Sequence, residues 1–341
     1  MPTPFLIDAG GDVAITPREG ERAAVAAEEA GYDGTIVPET QHDPFVALAL
    51  AARSTERITL TSGIAVAFAR SPMTTAMAAN DIHDLSQGRF VLGLGSQVKA
   101  HIERRFSMPW SHPAARMQEY IEALRAIWHA WATGERLKFT GEFYTHTLMS
   151  PFFDPGPNPH GNPPVWVAAV GDLMAETAGR VADGVIAHGF TTRRYLAEVS
   201  IPAIKRGQDA AARSGEHLGL SVSPFVALGH DQATLDAAVA AVRGQVAFYA
   251  STPAYRGVME LHGWEETADQ LHALSTRGGW AEMGALVTDE IVGEFAAIGT
   301  PAEVASALTE RFSGLATRMS FYAPYEVPAE VWAELLAAMR G

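Results

Sequence analysis

Two short stretches hold the side chains best suited to chemistry. In Pro38-Glu39-Thr40-Gln41-His42 an acid and an imidazole stand close together just after a short apolar run. If that run is a strand, both groups emerge at its end, where a carboxylate or an imidazole can give or take a proton. The competing reading makes them solvated loop residues, or makes Glu39 the cap of the next helix. In Arg89–Gln97 an apolar run ends in Gly-Leu-Gly-Ser. Glycines at the end of a buried strand mark a close approach to the backbone. What approaches is a nucleotide phosphate, a flavin-like ring or a neighbouring helix.

Other motifs narrow the chemistry. Gly93-Leu94-Gly95 starts like a dinucleotide fingerprint, but Val98 stands where the third glycine belongs, so a Rossmann site is not supported. Neither a P-loop nor a GxSxG elbow occurs. His-Asp pairs occur at His42-Asp43 and His83-Asp84; for a barrel metal site His42 and His188 qualify loosely, whereas His83 falls inside a helix, on the wrong part of the barrel. HxH and HExxH are absent, and no metal is expected. The chain has no cysteine, which excludes disulfides, thiolate metal sites and a Cys nucleophile. Thr61-Ser62-Gly63-Ile64 puts a glycine inside an apolar strand, the mark of a bulge, a close ligand approach or simple packing. Ala168-Ala169-Val170-Gly171-Asp172 leads small residues into a helix. That leaves backbone N–H groups open to an anion, or makes only a tight turn.

These residues need elements to place them, and short β-rich runs alternate with amphipathic helical segments throughout. The expected pairs are 5–9 with 18–30, 35–37 with 45–53, 58–66 with 73–85, and 90–95 with 113–133. The second half continues with 165–170 and 174–182, 184–187 and 195–214, 220–228 and 234–249, and 319–323 and 329–339. Several strands are almost wholly apolar, as parallel strands buried on both faces are. Eight strand–helix units in 341 residues fit a (β/α)8 TIM barrel; a doubly wound sheet is the competitor. The whole chain, 1–341, is expected to be one such domain. Insertions fall near 98–112, 139–164 and 251–294, the last with a helical piece near 265–274. Because that last insertion follows a helix, it is expected to begin on the face opposite the strand ends.

Composition is that of a soluble globular chain, 48% hydrophobic and 19% charged, with a net charge of −14 and no basic block. Nucleic acid and anionic membranes are poor partners for such a surface. The first residues show no signal peptide, the longest apolar run is only 45–52, and a cytoplasmic location is expected.

Several phrases together resemble the bacterial luciferase-like monooxygenase superfamily, and within it the branch that uses the deazaflavin coenzyme F-420. They are AAEEAGYDGTIVPE, TLTSGIAV, RSPMTTAMAANDIHDLSQGRFVLGLGSQ, the helix around 117–134, GEFY, PPVWVAAVGDLMAETAGRVADGVI and GTPAEVA. The resemblance implies a (β/α)8 barrel with insertions, often a homodimer, with the ring lying against strand three. It also implies a non-prolyl cis peptide at Gly63-Ile64. Thr40, Val66, Ser96, Gln97 and His101 would line the cofactor, and Ala169, Val170, Gly171, Leu173 and Met174 would meet its phosphate. Glu39 or His42 would handle the proton, with His101 third. Phe68, Phe106, Trp110 and Tyr144 would wall the substrate, or else pack. The chain departs from the family's sugar-phosphate dehydrogenases. These carry Asp-His where Glu39-Thr40 stand, and a glutamate where Val98 stands. The implied activity is F-420-dependent hydride transfer to or from a small organic molecule, with a coenzyme reductase involved only indirectly. The alternatives are an FMN-dependent two-component monooxygenase fed by a partner reductase, and a non-catalytic flavin-binding barrel.

Overall fold

Local signals start and stop the helices as the sequence suggests. Pro17–Ala30 begins at Thr16, whose hydroxyl and Glu19 form a reciprocal capping box, and ends at Gly31 with φ 90°. Pro301–Phe312 repeats the device with Thr300 and Glu303. Pro72–Leu85 starts at Ser71, whose side chain accepts from Thr74 N–H. The computed structural model describes residues 5–10 and 16–341. The first four residues of the stretch searched for a signal sequence therefore lie outside the described residues.

Eight parallel strands close on themselves. They are β1 (Leu6–Ala9), β2 (Gly34–Val37), β3 (Thr59–Ser62), β4 (Phe90–Gly95), β5 (Val165–Ala169), β6 (Gly184–Ala187), β7 (Gly219–Val222) and β8 (Arg318–Ser320). Each pairs with its neighbours in sequence, and β8 returns to β1. This is the TIM barrel expected. Residues such as Leu60, Leu92, Val167 and Val185 are buried in the main core cluster. Ile36, Val91, Trp166 and Ile186 instead face a small interior cavity that also meets the Asp8–Arg318 ion pair. That alternation of period two fixes which strand residues reach the barrel mouth.

Two expectations need correction. Residues 220–228 do not form one strand. β7 stops at Val222, and Phe225–Leu228 leaves the barrel to pair in parallel with Ala296–Gly299. Pro224 lies at the break and has no N–H for the ladder. The last insertion also does not begin on the far face. The Phe225–Leu228 strand carries the chain onward, and the helix Gln232–Ala250 ends with Tyr249 against His188, the residue after β6. The insertion is helical, with Glu265–Thr276 where a helical piece was expected. Its side chains form a second apolar cluster with Phe190 and Phe225.

The other insertions are tied to the barrel by single side chains. In 139–164 a hairpin pairs Phe139–Thr140 with Thr145–His146. The Glu119 carboxylate accepts from the N–H groups of Glu142, Phe143 and Tyr144 at 2.9, 2.7 and 2.6 Å. A Cβ on Gly141 would stand 2.2 Å from that carboxylate, which accounts for the glycine in GEFY. In 98–112 a short helix, Lys99–Arg104, follows the sharp turn at Gln97, φ 59°.

Candidate active site at the barrel mouth

The mouth is shaped by a bulge. Leu60 and Thr61 pair with Phe90 and Val91, and pairing resumes with Ala65 and Val66 opposite Leu94 and Gly95. The third strand thus holds one extra residue, the mark of a β-bulge. Across the gap the Ser62 hydroxyl donates to Gly93 O and accepts from Gly93 N–H, both at 2.9 Å, replacing the lost ladder bonds. The Gly63-Ile64 peptide is cis, as the resemblance implied. A Cβ on Gly93 would lie 1.9 Å from Ser62 O and 2.8 Å from Ile186 Cδ1; one on Gly95 would lie 2.7 Å from Ile64 Cγ1. The glycines of Arg89–Gln97 therefore admit a neighbouring strand and two isoleucines. Ile64 and Ile186 lie over them as an apolar platform.

Glu39 braces this platform. Its carboxylate takes both arms of Arg70, at 2.6 and 3.0 Å, and accepts from Val66 N–H at 2.7 Å. Arg70 also reaches Asp43 at 3.0 Å and lies over the Phe45 ring. Both Glu39 oxygens are thus engaged by Arg70 and the Val66 amide, which makes this side chain a brace of the mouth. His42 is exposed. The Thr40 carbonyl accepts from Arg105, tying the loop after β2 to the segment after β4.

Ser96 and Gln97 follow β4 directly, with their polar groups engaged locally. The Ser96 hydroxyl donates to Gln97 O at 3.2 Å, and Gln97 Oε1 accepts from Val98 N–H at 2.9 Å. His101 is exposed on the short helix. Trp110 is half-buried and meets Phe68 edge-on at 5.8 Å. Phe68 itself has no exposed surface, so it supports Trp110 rather than lining an opening. Arg116 lies 4.5 Å over the Phe68 ring and donates to Tyr144 Oη at 2.8 Å, and burial pushes the Tyr144 phenol upward. Two of the four expected wall residues, Phe68 and Tyr144, thus meet one guanidinium, and Trp110 joins them through Phe68. Phe106 packs separately beneath Arg105.

On the other side, Gly171 caps the helix Asp172–Val181 and offers no side chain to its first N–H groups. The Asp172 carboxylate turns to Arg206, 2.6 Å away. Leu173 is exposed and Met174 half-buried. Ala169 and Val170 share a small cavity with Thr191, whose buried hydroxyl has no hydrogen-bond partner among the described residues.

Sequence reasoning missed one cluster. His188 follows β6, its Nδ1 accepts from Phe190 N–H at 3.0 Å, and its Nε2 lies 3.2 Å from Tyr255 Oη. The imidazole stacks on Tyr255 with ring centres 4.6 Å apart, and Tyr249 stands edge-on at 4.8 Å. Tyr322, just past β8, reaches Tyr249 through a 3.2 Å hydroxyl pair. Burial pushes His188 down to about 4, Tyr255 up to about 12, and Tyr322 further up. The only local signal was His188 at a strand end; its tyrosine partners come from the insertion and the far strand.

Comparison with known proteins places the chain. The family model for luciferase-like monooxygenases matches residues 2–318. An uncharacterized Mycobacterium tuberculosis protein is 50% identical over 297 residues, 87% of each chain. A 5,10-methylenetetrahydromethanopterin reductase of Archaeoglobus fulgidus is 29% identical over 292 residues, 83% of each. An F-420-dependent glucose-6-phosphate dehydrogenase of Nocardia farcinica is 33% identical over 213 residues, 58% of this chain and 61% of the relative. Among solved structures, the coenzyme F-420-dependent tetrahydromethanopterin reductase of Methanopyrus kandleri superposes with a TM-score of 0.77 at 20% identity. The match covers 100% of this chain and 98% of that one.

Proposed function

The chain belongs to the luciferase-like monooxygenase family, and on that premise we propose that it is a coenzyme F-420-dependent oxidoreductase. The reaction is hydride transfer between the deazaflavin and a small organic substrate, a carbonyl or alcohol or an activated alkene. The observation that carries this reading is the bulge at Ser62–Ile64 over the glycines of β4. It leaves a flat apolar bed at the end of the strands, where barrel enzymes work. Relatives named as F-420-dependent favour the deazaflavin over FMN.

The residues present fit such a group. Ile64 and Ile186 offer one face for a planar ring. The uncapped amides after Gly171 offer donors for its phosphate. Bound there, the deazaflavin would supply or accept a hydride at its central carbon. The chain's own work is to hold the substrate against that face, exclude water and move one proton. Trp110 and Tyr144 flank the opening from the side of the 98–112 and 139–164 segments. Glu39 keeps the bulge in shape. The sugar-phosphate reaction of one relative is not proposed, because Val98 and Glu39-Thr40 replace residues that class carries.

The test is a titration of the purified protein with F-420 and, separately, with FMN, followed by ring fluorescence. Tight F-420 binding with weak FMN binding is expected. The reverse result would move the chain to the FMN monooxygenases and direct attention to oxygen consumption and a reductase partner.

A further inference from the structure

We propose that Tyr255 is the proton donor to the oxygen of an uncharged ketone or aldehyde, and that His188 is the positioning residue that frees its proton. The proposal rests on the hydride-transfer reading above and assigns the proton to a side chain other than Glu39, whose two oxygens are held by Arg70 and Val66 N–H.

The argument starts with a tautomer. His188 follows β6 directly and lines a small cavity with Ala169, Val170 and Ala187 at the ends of β5 and β6. Its Nδ1 accepts from Phe190 N–H, so in the neutral ring the proton sits on Nε2. Nε2–H therefore donates to Tyr255 Oη, 3.2 Å away. The phenol hydrogen is not needed for that bond and is left for another acceptor. Stacking at an interplanar angle of 24° holds the two rings in register. Protonating the imidazole would put a second donor against Phe190 N–H, and burial alone already holds the ring neutral.

The surroundings select the substrate. Tyr249, Tyr255, Tyr322, Phe190 and Phe225 form the wall around His188, and none of them carries a charge. A phosphate or carboxylate entering there would lose its hydration without meeting a cation. A carbonyl oxygen needs only one good donor.

The step balances. In the reductive direction a C–H bond at the central carbon of bound, reduced deazaflavin would break, the ring being oxidised by two electrons, and a C–H bond would form at the carbonyl carbon. The C=O π pair moves to oxygen, which takes the Tyr255 proton. Nε2–H of His188 holds the resulting phenolate until solvent returns a proton.

The experiment uses wild type, Tyr255→Phe and His188→Gln with reduced F-420 and cyclohexanone as the probe. Tyr255→Phe is expected to lose about 100-fold or more in kcat, with KM for the ketone and F-420 binding changed only a few-fold. His188→Gln, which keeps an N–H donor, should retain more of the rate. Imidazole nitrogen NMR of the coenzyme-free protein should show the Nε2–H form in wild type and in Tyr255→Phe. An Nδ1–H tautomer, or a Tyr255→Phe enzyme at wild-type rate, overturns the proposal and leaves the hydride reading standing. Failure of the wild type to bind F-420 overturns both. Reduction of the alkene of cyclohexenone without any reduction of cyclohexanone overturns the carbonyl assignment alone.

Discussion

Glu39 and Arg70 form a two-armed ion pair, with Nη1–Oε2 at 2.6 Å and Nη2–Oε1 at 3.0 Å, that ties the end of β2 to the segment after the bulge. The side chains are 5% and 16% exposed, so both charges depend on each other. Glu39→Ala strands Arg70 and the Val66 N–H, and should cost about 3 kcal/mol in urea unfolding, the low end for a broken buried pair because Asp43 remains. Glu39→Gln should cost less. A variant that keeps full stability while losing turnover would make Glu39 a proton-transfer group and sink the bracing role.

Gly93→Ala should destabilise by about 1–3 kcal/mol or more, because its Cβ would fall 1.9 Å from a backbone oxygen that cannot move aside. Gly171→Ala has open space around it and should stay within about 1 kcal/mol of wild type. Equal unfolding midpoints for the two variants would contradict the close approach described at the bulge.

Stability should depend on pH through His188. Its folded value is lowered to about 4, whereas the unfolded chain binds that proton near the ordinary histidine value of 6.5. Between those limits the unfolded state holds more protons, so the contribution is full above about 6.5 and is lost as pH falls toward 4. The loss is on the order of 3 kcal/mol, less any screening at the partly open mouth. The measurement is the difference in unfolding free energy between wild type and His188→Gln at pH 7.5 and at pH 5. A difference that does not change with pH would refute the buried, neutral ring.

Glu119→Ala removes the acceptor for three backbone N–H groups at once. Each unsatisfied amide costs about 1–3 kcal/mol if it stays buried, so the 141–146 turn should open to water instead. Hydrogen exchange should speed up at Glu142, Phe143 and Tyr144 and leave the barrel strands unchanged. Unaltered exchange there would show that the hairpin holds its shape without Glu119.

Much of the architecture was legible because its signals are local. Thr16 with Glu19 and Thr300 with Glu303 are spaced for capping boxes, and Gly31 is placed to end a helix. The glycine in Thr61–Ile64 marked a bulge, a ligand approach or packing, and the ladder register shows the bulge. The strand break at Ser223-Pro224 was passed over because the apolar run continues across it.

The site was only partly legible. Glu39 could be seen at a strand end, but its partner Arg70 is 31 residues away. His188 and Tyr255 are 67 residues apart, and Tyr322 comes from beyond the last strand. By itself the sequence determined the alternating strands and helices, their caps and the glycines, because apolar period and backbone preference act over a few residues. Only the tertiary structure decided which carboxylate is spent on a guanidinium and which phenol stands against the His188 imidazole. Those states depend on neighbours brought together by barrel closure and by an insertion folding back over the mouth.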